Sequence, residues 1–225
     1  MMQVFYEVRT MRRSRSEAAE TRERIVSTAS KMFLEKGLES VGMRDIMAAA
    51  GLTPGGFYRH FESKEQLICE ANSAAFDHLM EMFAAKTAGK SADEALEIVV
   101  TLYLNQSRQE GDTFLCPLSM NGGELSHCVP EVRAVAFSGY QRMVEFIADL
   151  VTHVSTVEAL AVAGGVVSTM VGAVTMANLA PTKAAASAIL SNAHGVIRAL
   201  LSVPVAKTEA VAKARVGGAK KLSVR

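Results

Sequence analysis

Residues 51–61 read Gly51-Leu52-Thr53-Pro54-Gly55-Gly56-Phe57-Tyr58-Arg59-His60-Phe61, and Met43-Arg44-Asp45-Ile46-Met47-Ala48-Ala49-Ala50 leads into them. The upstream stretch is amphipathic and long enough for a two-turn helix. Gly51 supplies a tight turn, and a second helix is expected to begin at Thr53. A threonine hydroxyl suits the N-cap, and Pro54 then takes the first helical position, where its missing N–H costs nothing. Helix, glycine turn and second helix together follow the helix-turn-helix plan that docks on DNA. Gly55 and Gly56 each cost a helix about 1 kcal/mol relative to alanine. At a helix tip they weaken the helix but let its backbone come close to another molecule.

The residues that follow sharpen this reading. Tyr58, Arg59 and His60 place a phenol, a guanidinium and an imidazole within one turn of the glycines. All three can donate hydrogen bonds to phosphate oxygens. Phe57 and Phe61 are four apart, share a face and can anchor the short helix in a core. Ser63 with Gln66 three residues on has the capping-box pattern and opens a further helix, with Lys64 at its start as another phosphate candidate. The plainer alternative is a helical hairpin with a solvated cationic face.

Across Thr21 to Leu67 the chain resembles the N-terminal DNA-binding domain of TetR-family transcriptional regulators. The resemblance is carried by Ala29, Phe33, Gly37, Arg44, Asp45, Ile46, Ala50, Gly51, Phe57, Tyr58, His60, Phe61, Lys64 and Leu67. It covers about the first third of the chain. It implies an all-helical homodimer, usually a repressor, that a small ligand releases from a near-palindromic operator. It also implies that Arg44 and the tip Thr53, Pro54, Gly55 and Gly56 approach bases, while Tyr58, His60 and Lys64 grip phosphates. Arg59 joins them as a DNA-contact candidate. One departure is Gly42, which stands at the N-cap of the first motif helix where the family more often has Ser or Thr. Glycine is an acceptable but slightly weaker cap.

Charge agrees by an independent route. The net charge of +1 divides unevenly: residues 1–64 hold eleven Lys/Arg against eight Asp/Glu, 65–204 hold seven against fourteen, and 205–225 hold six against one. A basic head is drawn to a polyanion, and an acidic body is kept off it. The expected organisation is a flexible extension or basic arm over 1–16, a helix-turn-helix domain over 17–64, a helical effector-binding and dimerisation domain over 65–204, and a basic disordered tail over 205–225. The first ten residues show no helical periodicity, so Met11 is the expected natural start. Arg12, Arg13 and Arg15 are then either a DNA-reaching arm or a disordered leader. No apolar core follows these charges, so no signal peptide is expected.

The rest of the chain reads as helices alone. Helix 1 is expected from about Glu17 to Lys36 with Gly37 as C-cap, and a long helix from Ser63 to near Lys86 before Gly89. Ser91–Glu94 and Ser155–Glu158 are further capping boxes. Between them, a short helix is expected over 118–127 and another from Pro130, carrying Val135, Phe137, Met143, Phe146 and Leu150. The run Ala159 to Ala180 carries no charge over 22 residues, the length of a membrane span. Its richness in Ala, Gly, Ser and Thr argues against insertion. A charge-free helix in a soluble chain needs a partner surface. With the helix after Thr182 it is expected to form half of a four-helix dimer interface.

The body suggests an effector chamber for a small, largely apolar ligand, near Tyr103, Gln106, Cys116, Met120, His127, Phe146 and Met170. Twelve methionines favour an adaptable apolar lining. Each of these residues is equally at home in an ordinary core. Cys69, Cys116 and Cys128 have no metal-ligand spacing, so no metal or cofactor is expected, and their odd number suits a reducing cytoplasm. Cys116, before Pro117, is either a redox or electrophile sensor or a passive thiol. The chain has no phosphate-binding loop, nucleophile elbow, metal-spaced His pair or dinucleotide fingerprint, which disfavours a helical enzyme with a DNA-binding appendage. A nonspecific DNA-coating protein would need more positive charge than the body carries.

Overall fold

The computed structural model describes the backbone of residues 2–105 and 115–202, and the side chains of 17–105 and 115–202. Among these residues there are only helices: α1 (Met2–Lys36), α2 (Met43–Ala49), a 3-10 helix (Pro54–Arg59), α3 (Lys64–Thr87), α4 (Ala92–Leu104), α5 (Pro117–His127), α6 (Pro130–Leu150), α7 (Thr156–Leu179) and α8 (Lys183–Ser202). The all-helical class expected from the sequence is the class observed.

Where the sequence carries a strong local signal, the helix ends fall on it. Gly37, Gly51 and Gly89 all have positive φ, the conformation that favours glycine beyond a helix end. Ser91 and Ser155 form complete capping boxes with Glu94 and Glu158. Ser63 makes half of one: its hydroxyl accepts from the Gln66 backbone amide, while the Gln66 side-chain Oε1 accepts instead from the Glu62 amide at 2.7 Å. The start of α1 differs from expectation, since the helix already runs from Met2. No Gly or Pro precedes Gly37, so nothing in the backbone stops the helix from propagating backwards.

Two hydrophobic clusters organise the molecule. The first gathers Ile25, Ala29 and Phe33 of α1, Ile46 and Met47 of α2, Phe57, Phe61, and Leu67, Ile68 and Ala71 of α3; Leu125, Val132 and Ala136 of α5 and α6 close it. The second gathers Phe76, Leu79 and Phe83 of α3 with the inner faces of α4, α6, α7 and α8. The helix α3 feeds both. Its first residues pack into the DNA-binding motif and its second half into the body.

The large apolar residues of α6 do not all face inward. Phe137 is 59 % exposed and stacks on Tyr140 instead of entering the core. The buried stripe is Val132, Ala136, Gly139, Met143 and Ile147. At Gly139 the helix comes so near α3 that an added Cβ would lie 2.2 Å from a Phe76 ring carbon. Small residues mark this face because the helices cross there at close range, and hydrophobicity alone points to the wrong stripe.

Candidate nucleic-acid interface

The motif is built around one tight turn. The Gly51 amide donates to the Ala48 carbonyl and the Leu52 amide to the Met47 carbonyl, at 3.0 and 2.8 Å, with Gly51 at φ +71° between them. This is a Schellman closure, and it satisfies the last carbonyls of α2 while reversing the chain. Thr53 follows as N-cap in extended backbone and Pro54 opens the next helix, as expected. Two details are corrected. The segment Pro54–Arg59 is a single 3-10 element instead of an α-helix, and the Thr53 hydroxyl makes no capping bond. Two adjacent glycines near its start withhold the propensity a longer α-helix would need.

Phe57 and Phe61 point inward, both buried, with ring centroids 5.5 Å apart. Their burial turns Tyr58 outward, where it is 70 % exposed. Thr53, Pro54, Gly55 and Arg59 are also exposed, and Gly56 and His60 are half-buried. Arg44, in the first turn of the preceding helix, is exposed too. The candidate residues on α2 and the 3-10 helix thus lie on one compact unit with its aromatic anchors beneath.

Two cations brace this unit from behind. Arg22 of α1 donates to the His60 carbonyl and to Glu70 of α3, and its guanidinium lies 4.2 Å from the Phe61 ring centroid. Sequence reading missed it, because an arginine at an ordinary helix position shows nothing of its long-range partners. Lys64 is half-buried, donates to the Leu38 carbonyl at 2.7 Å and faces the Phe33 ring. One of its three N–H bonds therefore holds the loop after α1. Next to it, Glu65 is held below the usual carboxylate range by its own backbone amide, with the Ser63 hydroxyl helping.

The same loop is tied to the body. Glu124 of α5 accepts from the Leu38 amide at 2.7 Å and the Glu39 amide at 3.2 Å, and the Asn121 side chain donates to the Phe33 carbonyl at 3.0 Å. The other end of α5 meets α7, where the Thr175 hydroxyl donates to the Ser119 carbonyl at 3.2 Å. A single eleven-residue helix therefore contacts both ends of the molecule. It contains Gly122 and Gly123, so its own helical propensity is low.

The residues expected around an effector divide. Tyr103, Cys116 and Met170 are fully buried together in the body cluster, and half-buried Phe146 packs on it beside Phe83. Met120 is half-buried and receives a hydrogen bond from Asn178. His127 is exposed at the end of α5, away from that cluster, which removes it from the set. Gln106 lies outside the described residues, as do the side chains of the expected arm and the whole of 205–225. Burial pushes the Cys116 thiol up, with hydrogen bonds from Tyr103 and the following backbone opposing it. A protonated, inaccessible thiol is a poor nucleophile, which counts against the sensor reading of Cys116. Among the described residues no group of three or more His, Cys, Asp and Glu could hold a metal ion.

Fold and site together define a helix-turn-helix DNA-binding protein with an all-helical body. Residues 25–71 match the family described as "Bacterial regulatory proteins, tetR family". The chain is 34% identical over 117 residues to the HTH-type transcriptional repressor BepR of Brucella suis biovar 1 (strain 1330), covering 43% of this chain and 54% of that one. It is 26% identical over 139 residues to the HTH-type transcriptional regulator AcrR of Shigella flexneri, covering 59% and 65%. The chain thus spans between about half and two thirds of these two curated relatives. Among solved structures, a TetR transcriptional regulator from Chloroflexus aurantiacus J-10-fl superimposes with a TM-score of 0.67 at 29% identity, over 81% of this chain and 96% of that one. The reduced form of E. coli NemR, at 18% identity and a TM-score of 0.70, shares the fold over 83% and 100%. Residues 25–71 thus carry a TetR-family DNA-binding domain, and the rest of the chain shares the fold of TetR-family structures.

Proposed function

We propose that the protein is a homodimeric repressor that binds a near-palindromic operator and is released by a small, largely apolar effector. The observation that carries the DNA-binding half is the exposed tip of the motif. Thr53, Pro54, Gly55, Tyr58, Arg59 and Arg44 are presented outward by a turn that Gly51 closes and that Phe57 and Phe61 anchor. In this reading Arg44 and the Thr53–Gly56 tip read bases, while Tyr58, Arg59, His60 and Lys64 hold phosphates and set the register.

Dimerisation through α7 and α8 is supported by what each leaves uncovered. Val157, Met176, Leu179, Val196 and Leu200 are exposed large apolar residues, and α8 buries only Ala193 and Ile197 within the protomer. By length and composition both helices could cross a membrane. Seven residues of α7 are nonetheless buried in the body core, which supports a soluble, cytoplasmic dimer over insertion. The effector reading rests on Tyr103, Phe146, Met170 and the low-propensity helix α5, which links that core to the loop behind the motif. The relatives' names support regulation, and nothing in the described residues suggests an enzyme.

The test is a binding-site selection with purified protein, wild type against Arg44→Ala and Tyr58→Phe. A bidentate arginine–guanine pair contributes about 1–3 kcal/mol of discrimination. Arg44→Ala is expected to relax preference at one position in each half-site, and Tyr58→Phe to weaken all sequences alike. An unchanged motif with Arg44→Ala would remove Arg44 from the readers. Wild type that failed to enrich any sequence would sink the regulator reading.

A further inference from the structure

A groove of about 650 Å³ runs between α4 and α8, far along the chain from the DNA-binding motif. Leu96, Val100, Ile197 and Leu201 make its apolar floor, and Asp93, Glu94 and Glu97 line its α4 side. Arg198 and His153 line it as well, so the groove is acidic on balance but not uniformly. Glu97 is paired with His194 at 2.9 Å, and Glu94 is kept ionised by its capping bonds to Ser91. Ser202, the last described residue, is itself part of the lining.

The sequence that follows Ser202 suits this surface in order. Val203, Pro204 and Val205 come first and Lys207 next, with Lys213, Arg215, Lys220, Lys221 and Arg225 beyond and only Glu209 acidic. Pro204 lacks a backbone donor and disfavours helical backbone at the residue before it, so the sequence does not favour continuing the α8 helix past Ser202. Five extended residues reach at most about 18 Å, enough to carry Lys207 across such a groove.

We infer that the segment beginning at Val203 folds back into the groove between α4 and α8, its valines on the apolar floor and its basic residues against the carboxylates of α4. The occupant is this chain's own segment, because the chain enters at the lip of a groove of opposite charge. Docking also holds a strongly cationic stretch against the acidic body and so limits its contact with DNA of any sequence.

Thermolysin tests this on the full chain, because it cuts before apolar residues and its sites at Val205 and Val211 are untouched by charge changes. Intact-mass analysis follows cleavage within 203–211 in wild type, in Asp93→Lys/Glu97→Lys, and in Lys207→Glu. Loss of two exposed ion pairs is expected to speed cleavage about fivefold. Lys207→Glu alone leaves every groove residue in place, so it reads docking even if the double variant folds poorly. Combining Lys207→Glu with Glu97→Lys is expected to restore protection. Equal cleavage in wild type and Lys207→Glu would overturn the assignment. Protection lost on dilution to monomer would also overturn it, by placing the partner's segment in the groove.

Discussion

Lys64 shows how one side chain can serve two tasks. Its amine bonds the Leu38 carbonyl, and in the proposed complex a remaining N–H is free to face a phosphate. A hydrogen bond to a charged group contributes about 1.5–3 kcal/mol, and half-exposure places this one at the low end. Lys64→Ala is therefore expected to lower the melting temperature by several degrees and to weaken every DNA sequence alike. Lys64→Arg is expected to recover most of the DNA affinity. Thermal melts beside a salt titration of DNA binding separate the two tasks, since one lost phosphate contact lowers the salt slope by about one per half-site. A changed sequence preference in Lys64→Ala would show that it reads bases instead.

At the scale of elements, the crossing of α6 over α3 depends on one missing methyl. The Gly139 position has no space for a Cβ, because the Phe76 ring occupies it. Overpacking of this kind costs about 1–3 kcal/mol, so Gly139→Ala is expected to lower the denaturation midpoint measurably, with helical circular dichroism retained. Gly123→Ala, at an exposed helical position with nothing within 4 Å of an added Cβ, is the matched control. The same crossing shows where sequence stops informing. Capping boxes, positive-φ glycines and the Thr53-Pro54 start are local chemistry, and they were legible. The buried face of α6 is set by how near α3 lies, and a Phe at 137 beside a Gly at 139 suggests the opposite orientation. Likewise the phenylalanine anchors and Tyr58 of the motif could be read from spacing, whereas Arg22 and Glu124 act on residues 38 to 86 positions away. No pattern within a single helix encodes such partners.

At the scale of the whole molecule, the proposed second copy and a shared helix matter most. Gly172 is exposed on the α7 face proposed as the dimer interface. Gly172→Glu would place there a carboxylate that the dimer must bury unpaired, at a cost of several kcal/mol. Light scattering is expected to report half the molar mass, with specific operator binding lost and helicity intact. A variant that stays dimeric and binds fully would move the interface elsewhere. The helix α3 has a different consequence. Because its two halves complete two different cores, the DNA-binding motif and the body are joined through the interior instead of by a linker. A fragment stopping at residue 64 would lose Leu67, Ile68 and Ala71 along with the lid that α5 and α6 supply. In the proposed regulator, operator contact and effector sensing would therefore meet in one continuous interior, and a new operator would be reached by altering side chains on the exposed tip.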